Sequence, residues 1–108
     1  MNTTGFIRGY IAKNMTAESF INVIIEALSK EFQVEVKINN ISKGVYEIKF
    51  NNYRVNLNDN LINELKSKSP YAVDKFLLSE LREQGFDFDE RRSQYIRYCF
   101  VHFETIDG

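Results

Sequence analysis

A chain of 108 residues that is 44% apolar and 27% charged has the make-up of a globular protein rather than a disordered one. It is long enough to bury a core without the metal or disulfide staples needed below about 40 residues. The formal charge is −1: residues 1–57 carry seven Lys/Arg against five Glu, a net of +2, and residues 58–108 carry seven against ten acids, a net of −3. Neither half is the basic stripe of a nucleic-acid binder or the acidic field of a polyanion mimic.

A single cysteine, Cys99, leaves no internal disulfide and no cysteine-rich zinc site, and suits a reducing compartment. The first residues hold no apolar run of signal-peptide length, and no stretch approaches the roughly 20 apolar residues of a membrane span. The expectation is a cytoplasmic protein of a bacterial host cell, without membrane association, folded as one domain over residues 1–108.

In chain order, GFIRGYI (residues 5–11) alternates weakly and predicts a short edge strand. Thr16 is a good N-cap, with Glu18 in the first turn. Phe20, Val23, Ile24, Ala27 and Leu28 then recur at i, i+3, i+4, i+7 and i+8, predicting a helix over residues 17–32 whose stripe Ile21 and Ile25 widen. QVEVKIN (33–39) places Val34, Val36 and Ile38 on one side, a half-buried strand, and NNISKG (39–44) reads as a turn. VYEIKF directs Tyr46, Ile48 and Phe50 inward, Asn51-Asn52 is a two-residue hairpin turn, and YRVNL returns with Tyr53, Val55 and Leu57 inward. Asn58-Asp59 caps a short helix with Leu61, Ile62 and Leu65. Ser69-Pro70 opens a longer one, with Pro at its first position, Gly85 past its end and Val73, Phe76, Leu77 and Leu81 inward.

Residues 86–104 gather seven aromatic side chains, counting His102, and the only cysteine. From Tyr95 onward the residue types favour a strand. Tyr95, Arg97, Cys99, Val101 and Phe103 would face one side, and Ile96, Tyr98, Phe100 and His102 the other, both covered. A helix from Asp89 is the competitor. The predicted order is (β)-α-β-β-β-α-α-β, an α+β two-layer domain with a three- to five-stranded antiparallel sheet and the helices on one face.

Several constellations could carry chemistry. Cys99 and His102 read C-x-x-H, but i and i+3 on a strand face opposite sides, so the plainer reading is a buried thiol. Asp87, Asp89 and Glu90 could ligate magnesium, but beside Arg91 and Arg92 they read as a solvated turn. No metal or other cofactor is expected. Glu35-x-Lys37 and Glu47-x-Lys49 on strands resemble the catalytic pair of the restriction-endonuclease-like nucleases, which also share a helix–three strands–helix–strand core. That resemblance implies a magnesium-binding acid and a lysine that polarises the attacking water. No Asp precedes Asp59, however, and Tyr53 to Leu57 contains no acid. The helix–three strands–helix order is also similar to that of double-stranded RNA-binding domains. This likeness implies a phosphate-gripping patch at Lys66, Lys68 and Lys75, although Pro70 and Asp74 interrupt it.

With no catalytic set, the preferred reading is a non-enzymatic protein-binding domain. Arg91, Arg92, Tyr95, Arg97 and Tyr98 are the binding candidates, since Tyr and Arg are enriched at interface hot spots. The alternative for Tyr95 and Tyr98 is that they finish the core with their hydroxyls in water. The short, Asn/Lys/Ile-rich chain is similar in texture to phage and mobile-element products, and its element order to some small anti-CRISPR inhibitors. This implies a host protein as partner rather than nucleic acid. An unpaired C-terminal strand would also offer an edge for a homodimer.

Overall fold

The computed structural model describes the backbone of residues 3–100 and the side chains of residues 7–100. Its elements run α1 (Thr3–Asn14), α2 (Ala17–Phe32), β1 (Val36–Ser42), β2 (Val45–Phe50), β3 (Tyr53–Asn58), α3 (Asp59–Lys68), α4 (Ala72–Glu83) and α5 (Gln94–Cys99). The fold is α+β: three antiparallel strands in the order β1-β2-β3, with helices against one face.

Local signals account for the middle of the chain. The Thr16 side chain accepts from the Ser19 N–H (3.2 Å) at the start of α2, and the left-handed Gln33 (φ 55°) ends it. Helix α2 turns Phe20, Ile21, Ile24, Ile25 and Leu28 inward and packs against β1 and α3. Asn51, at φ 53°, makes the two-residue turn joining β2 to β3. Tyr46, Ile48, Phe50, Val55 and Leu57 are buried on the helix side, as their alternation predicts, while Lys37, Lys49, Arg54 and Asn56 are exposed on the other. The Asn58 side chain caps α3 through the Leu61 N–H (2.8 Å). Helices α3 and α4 both lie against β3.

Four expectations are corrected. Residues 5–11 belong to helix α1 rather than an edge strand. Among the described side chains of α1 the buried ones are Arg8 and Ala12, one turn apart, and because one of them is an arginine an apolar count does not register the helical period there. Residues 94–99 form helix α5 rather than the start of a C-terminal strand. Ser93 caps it by accepting from the Ile96 N–H (3.1 Å), and Ile96 and Cys99, at i and i+3, are its buried side. Residues 101–104, the rest of the predicted strand and of the edge expected for a homodimer, lie outside the described residues. The turn predicted over 39–44 shrinks to Lys43-Gly44, since β1 continues to Ser42 past an irregularity between Asn40 and Ser42. Pro70 precedes α4, which starts at Ala72. Tyr71 stands between them with its ring under Arg8.

Gly44 holds the β1–β2 turn at φ 73°. A Cβ there would stand 2.8 Å from Asp59 Oδ2. The opposite oxygen of Asp59 accepts from the Tyr46 hydroxyl (2.7 Å), a bond that pushes the phenol up to about 12. Gly44→Ala is therefore expected to lower stability by about 1–3 kcal/mol. Gly9→Ala, in helix α1 with only Pro70 Cγ at 3.5 Å, is expected to raise it by about 0.5–1 kcal/mol. Urea denaturation of the two variants reads both.

Candidate functional site

The least expected residue in the core is Asp74, 0% exposed on α4. It occupies i of an i, i+3, i+4, i+7 series completed by Leu77, Leu78 and Leu81, so the helix period that buries the leucines buries the carboxylate with them. A charge so placed costs several kcal/mol unless it is paired and hydrogen-bonded. Arg8 of α1 pairs with one oxygen (Nη1–Oδ1 2.5 Å), and the Tyr95 hydroxyl of α5 donates to the other (2.5 Å). Arg8 Nη1 also reaches the Pro70 carbonyl (3.4 Å), and its guanidinium lies 4.7 Å from the Tyr71 ring centroid and 5.6 Å from that of Phe20.

The electrostatics follow from this burial. Desolvation raises the Asp74 carboxyl above the ordinary carboxylate value, opposed by the Arg8 charge and by hydrogen bonds from Arg8 and Tyr95. Burial pushes Tyr71 up to about 12, with Arg8 pulling the other way. Burial also raises Tyr95, with the Asp74 charge adding to it. Cys99, 2% exposed, is raised by burial first and the Asp74 charge second, so its thiol stays protonated at neutral pH.

Over this network lies a groove of about 430 Å³. Ile7 and Ile11 of α1, Ala27 of α2, Tyr71 and Tyr95 make its lining largely apolar, and Arg8, Lys30 and Glu31 complete it. Glu31 is held by Arg92 (Nε–Oε2 2.7 Å) and by the Ser93 hydroxyl (3.0 Å). No buried side-chain nitrogen or oxygen among the described residues lacks a partner. The arrangement can present a preformed apolar concavity on a polar floor.

The sequence candidates scatter over the molecule. Tyr95 lies in the groove wall. Tyr98 packs at a tilt against Tyr71 (5.7 Å between centroids) and accepts from Gln94 (2.9 Å), and Arg92 also covers the Phe32 ring (4.5 Å). The Arg91 N–H bonds Asp89 (2.9 Å), and neither Arg91 nor Arg97 has an ion pair among the described residues. Glu35 and Lys37 pair loosely (3.8 Å) at the entry to β1, while Glu47 is within 4.0 Å of Arg54. The two acid-x-Lys pairs share the open sheet face, where Lys37 stands opposite Lys49. No cluster of three or more His, Cys, Asp or Glu among the described residues is arranged to hold a metal ion. Lys66 donates to the Met15 carbonyl (2.5 Å) and faces the Phe20 ring, apart from Lys68 and Lys75, which border a separate shallow groove between α3 and α4. His102 lies outside the described residues.

Sequence reasoning missed Arg8, Tyr71 and Asp74. The available signal was an acid at an inward position of the α4 stripe. Comparison with protein-family models, with curated proteins and with solved structures finds no match to this chain.

Arg8→Ala or Asp74→Ala leaves the other charge buried alone and is expected to cost about 3–5 kcal/mol. The double replacement Arg8→Met/Asp74→Leu is expected to cost much less than the sum of the two. Chemical denaturation of the three variants checks this. Alkali tests the phenols. Tyr46 and Tyr71 have folded values near 12 against about 10 in the unfolded chain. The stability they contribute is complete below pH 10 and is lost as pH rises through about 12. The urea midpoint is expected to fall across that window, and less so in Tyr46→Phe.

Proposed function

We propose that this chain is a non-catalytic protein-binding domain that seats an apolar side chain of its partner in the groove between α1, α2 and α5. The observation that carries the reading is the exposure of two large apolar residues on α1, one of which, Ile7, lines the groove. On α1, Ile7 is 54% and Tyr10 is 66% exposed, three positions apart on one side of the helix. Among the described residues only Ile41 is a further exposed large hydrophobe. Apolar concavities with aromatic walls are where binding energy concentrates in protein interfaces. The Arg8–Asp74–Tyr95 floor favours this use, because a rigid site loses little conformational entropy on binding.

Tyr95 is the sequence candidate that meets the groove, and Arg97 and Tyr98 follow it on α5. The protonated, buried Cys99 favours binding over nucleophilic chemistry. That the partner is a host protein, and the chain an inhibitor or adaptor of phage or mobile-element origin, is supported by the texture of the sequence alone.

Affinity capture from bacterial lysate, read by mass spectrometry, tests the proposal. Wild type is expected to retain a partner that Tyr10→Ala and Ile7→Asp each bind about 10-fold more weakly or worse, with thermal stability unchanged. A partner held equally by both variants, or no partner at all, contradicts it.

A further inference from the structure

The two edges of the sheet are treated differently. At β3 the side-chain amide of Gln84 occupies the edge: the Arg54 N–H donates to its Oε1 (3.3 Å), and its Nε2 donates to the Arg54 carbonyl (2.6 Å). It stands where a neighbouring strand would pair. This contact also fixes which way the backbone points elsewhere. Since the Arg54 groups face away from β2, alternation in an antiparallel ladder turns those of its partner Lys49 toward β1. Lys37, opposite Lys49, is thereby bonded to β2, and Val36, Ile38 and Asn40 direct their N–H and C=O groups out of the sheet. No hydrogen bond among the described residues meets those groups.

The side chains at this edge specify what fits it. Val36 and Ile38 are half-buried on the helix side and end the apolar layer unfinished. On the open side, the register sets Lys37, Lys49 and Arg54 in one row across all three strands. Like charges directly opposite each other on adjacent strands repel. The carboxylates that offset the row stand at 3.8 Å from Lys37 and 4.0 Å from Arg54, and Lys49 has no ion pair among the described residues. A fourth strand with an acid opposite Lys37 and apolar residues opposite Val36 and Ile38 would relieve the repulsion and extend the apolar layer together.

We propose that the outer edge of β1 is a docking site for an extended segment of a partner protein in which apolar residues alternate with Asp or Glu, added to the sheet as a fourth strand. Main-chain hydrogen bonds supply affinity in this mode, and the alternating side chains supply selectivity. The site uses none of the residues of the α1–α5 groove.

The test uses the full chain and an acetylated, amidated octapeptide of alternating valine and glutamate, read by amide hydrogen exchange. The peptide is expected to slow exchange at Val36, Ile38 and Asn40 at least 10-fold. The valine–lysine counterpart is expected to bind about five-fold more weakly or worse. Lys37→Glu should reverse that preference. Asn40→Pro, which deletes one outward N–H at an exposed position, should weaken binding of the acidic peptide with the β2–β3 amides unmoved. If Asn40→Pro does not fold, the Lys37→Glu reversal decides. Tyr10→Ala should leave the peptide response intact, so loss of the groove reading and loss of this one are separable. Unchanged exchange at all three amides under saturating peptide overturns the proposal, as does equal binding of the two peptides. Protection that grows with protein concentration in the absence of peptide overturns it in favour of a second copy of the chain.

Discussion

The bond between Arg8 and Asp74 joins residues 66 positions apart, and Tyr95 closes the same carboxylate from the other side. One buried side chain thereby connects α1, α4 and α5. Among the described side chains of α1, Ala12 is the other buried one, and Ile11 is half-buried. Charge and hydrogen bonding thus help to fix its position, beside the apolar contacts of Ala12 and Ile11. Such a pair contributes little net stability compared with well-packed apolar residues, but it penalises any arrangement that leaves one charge alone. The groove inherits its geometry from this constraint, since Tyr71, Tyr95 and α1 are its walls.

The far side of the core is held differently. Phe86 and Phe88, leaving α4, pack with Phe32 and Phe50 in tilted and edge-to-face contacts with centroids 4.9 to 6.0 Å apart. Two arginines cover this cluster. Arg82 lies 4.2 Å from the Phe88 centroid and bonds Glu90, while Arg92 lies 4.5 Å from that of Phe32 and bonds Glu31. These contacts fold the polar elbow of residues 87–92 back onto the core and set the start of α5, so that Tyr95 faces Asp74.

Where structure is local, the sequence was readable. Thr16, Asn58 and Gly85 mark boundaries through their own caps and turns, and the alternation of β2 and β3 follows directly from one buried sheet face. Helix α1 was not readable as a helix because its inward Arg8 depends on a partner 66 residues later. Helix α5 was hidden by residue types that favour strands, while the Ser93 cap and the Ile96/Cys99 spacing carried the helical signal. Of the candidate site, the residue type of Tyr95 points to it, whereas Asp74 stands in the sequence as a break among lysines, and its place on the leucine stripe of α4 emerges only with its partners Arg8 and Tyr95.

The dependence of three helices on one carboxylate is tested most directly by amide hydrogen exchange in Asp74→Asn, which keeps the shape of the side chain and removes its charge. Protection in α1 and α5 is expected to fall together, at least 10-fold further than in the β2 ladder, because these helices should open as one unit once the pair is broken. Unchanged protection in α1, or a loss spread evenly over the sheet and all helices, would contradict the account.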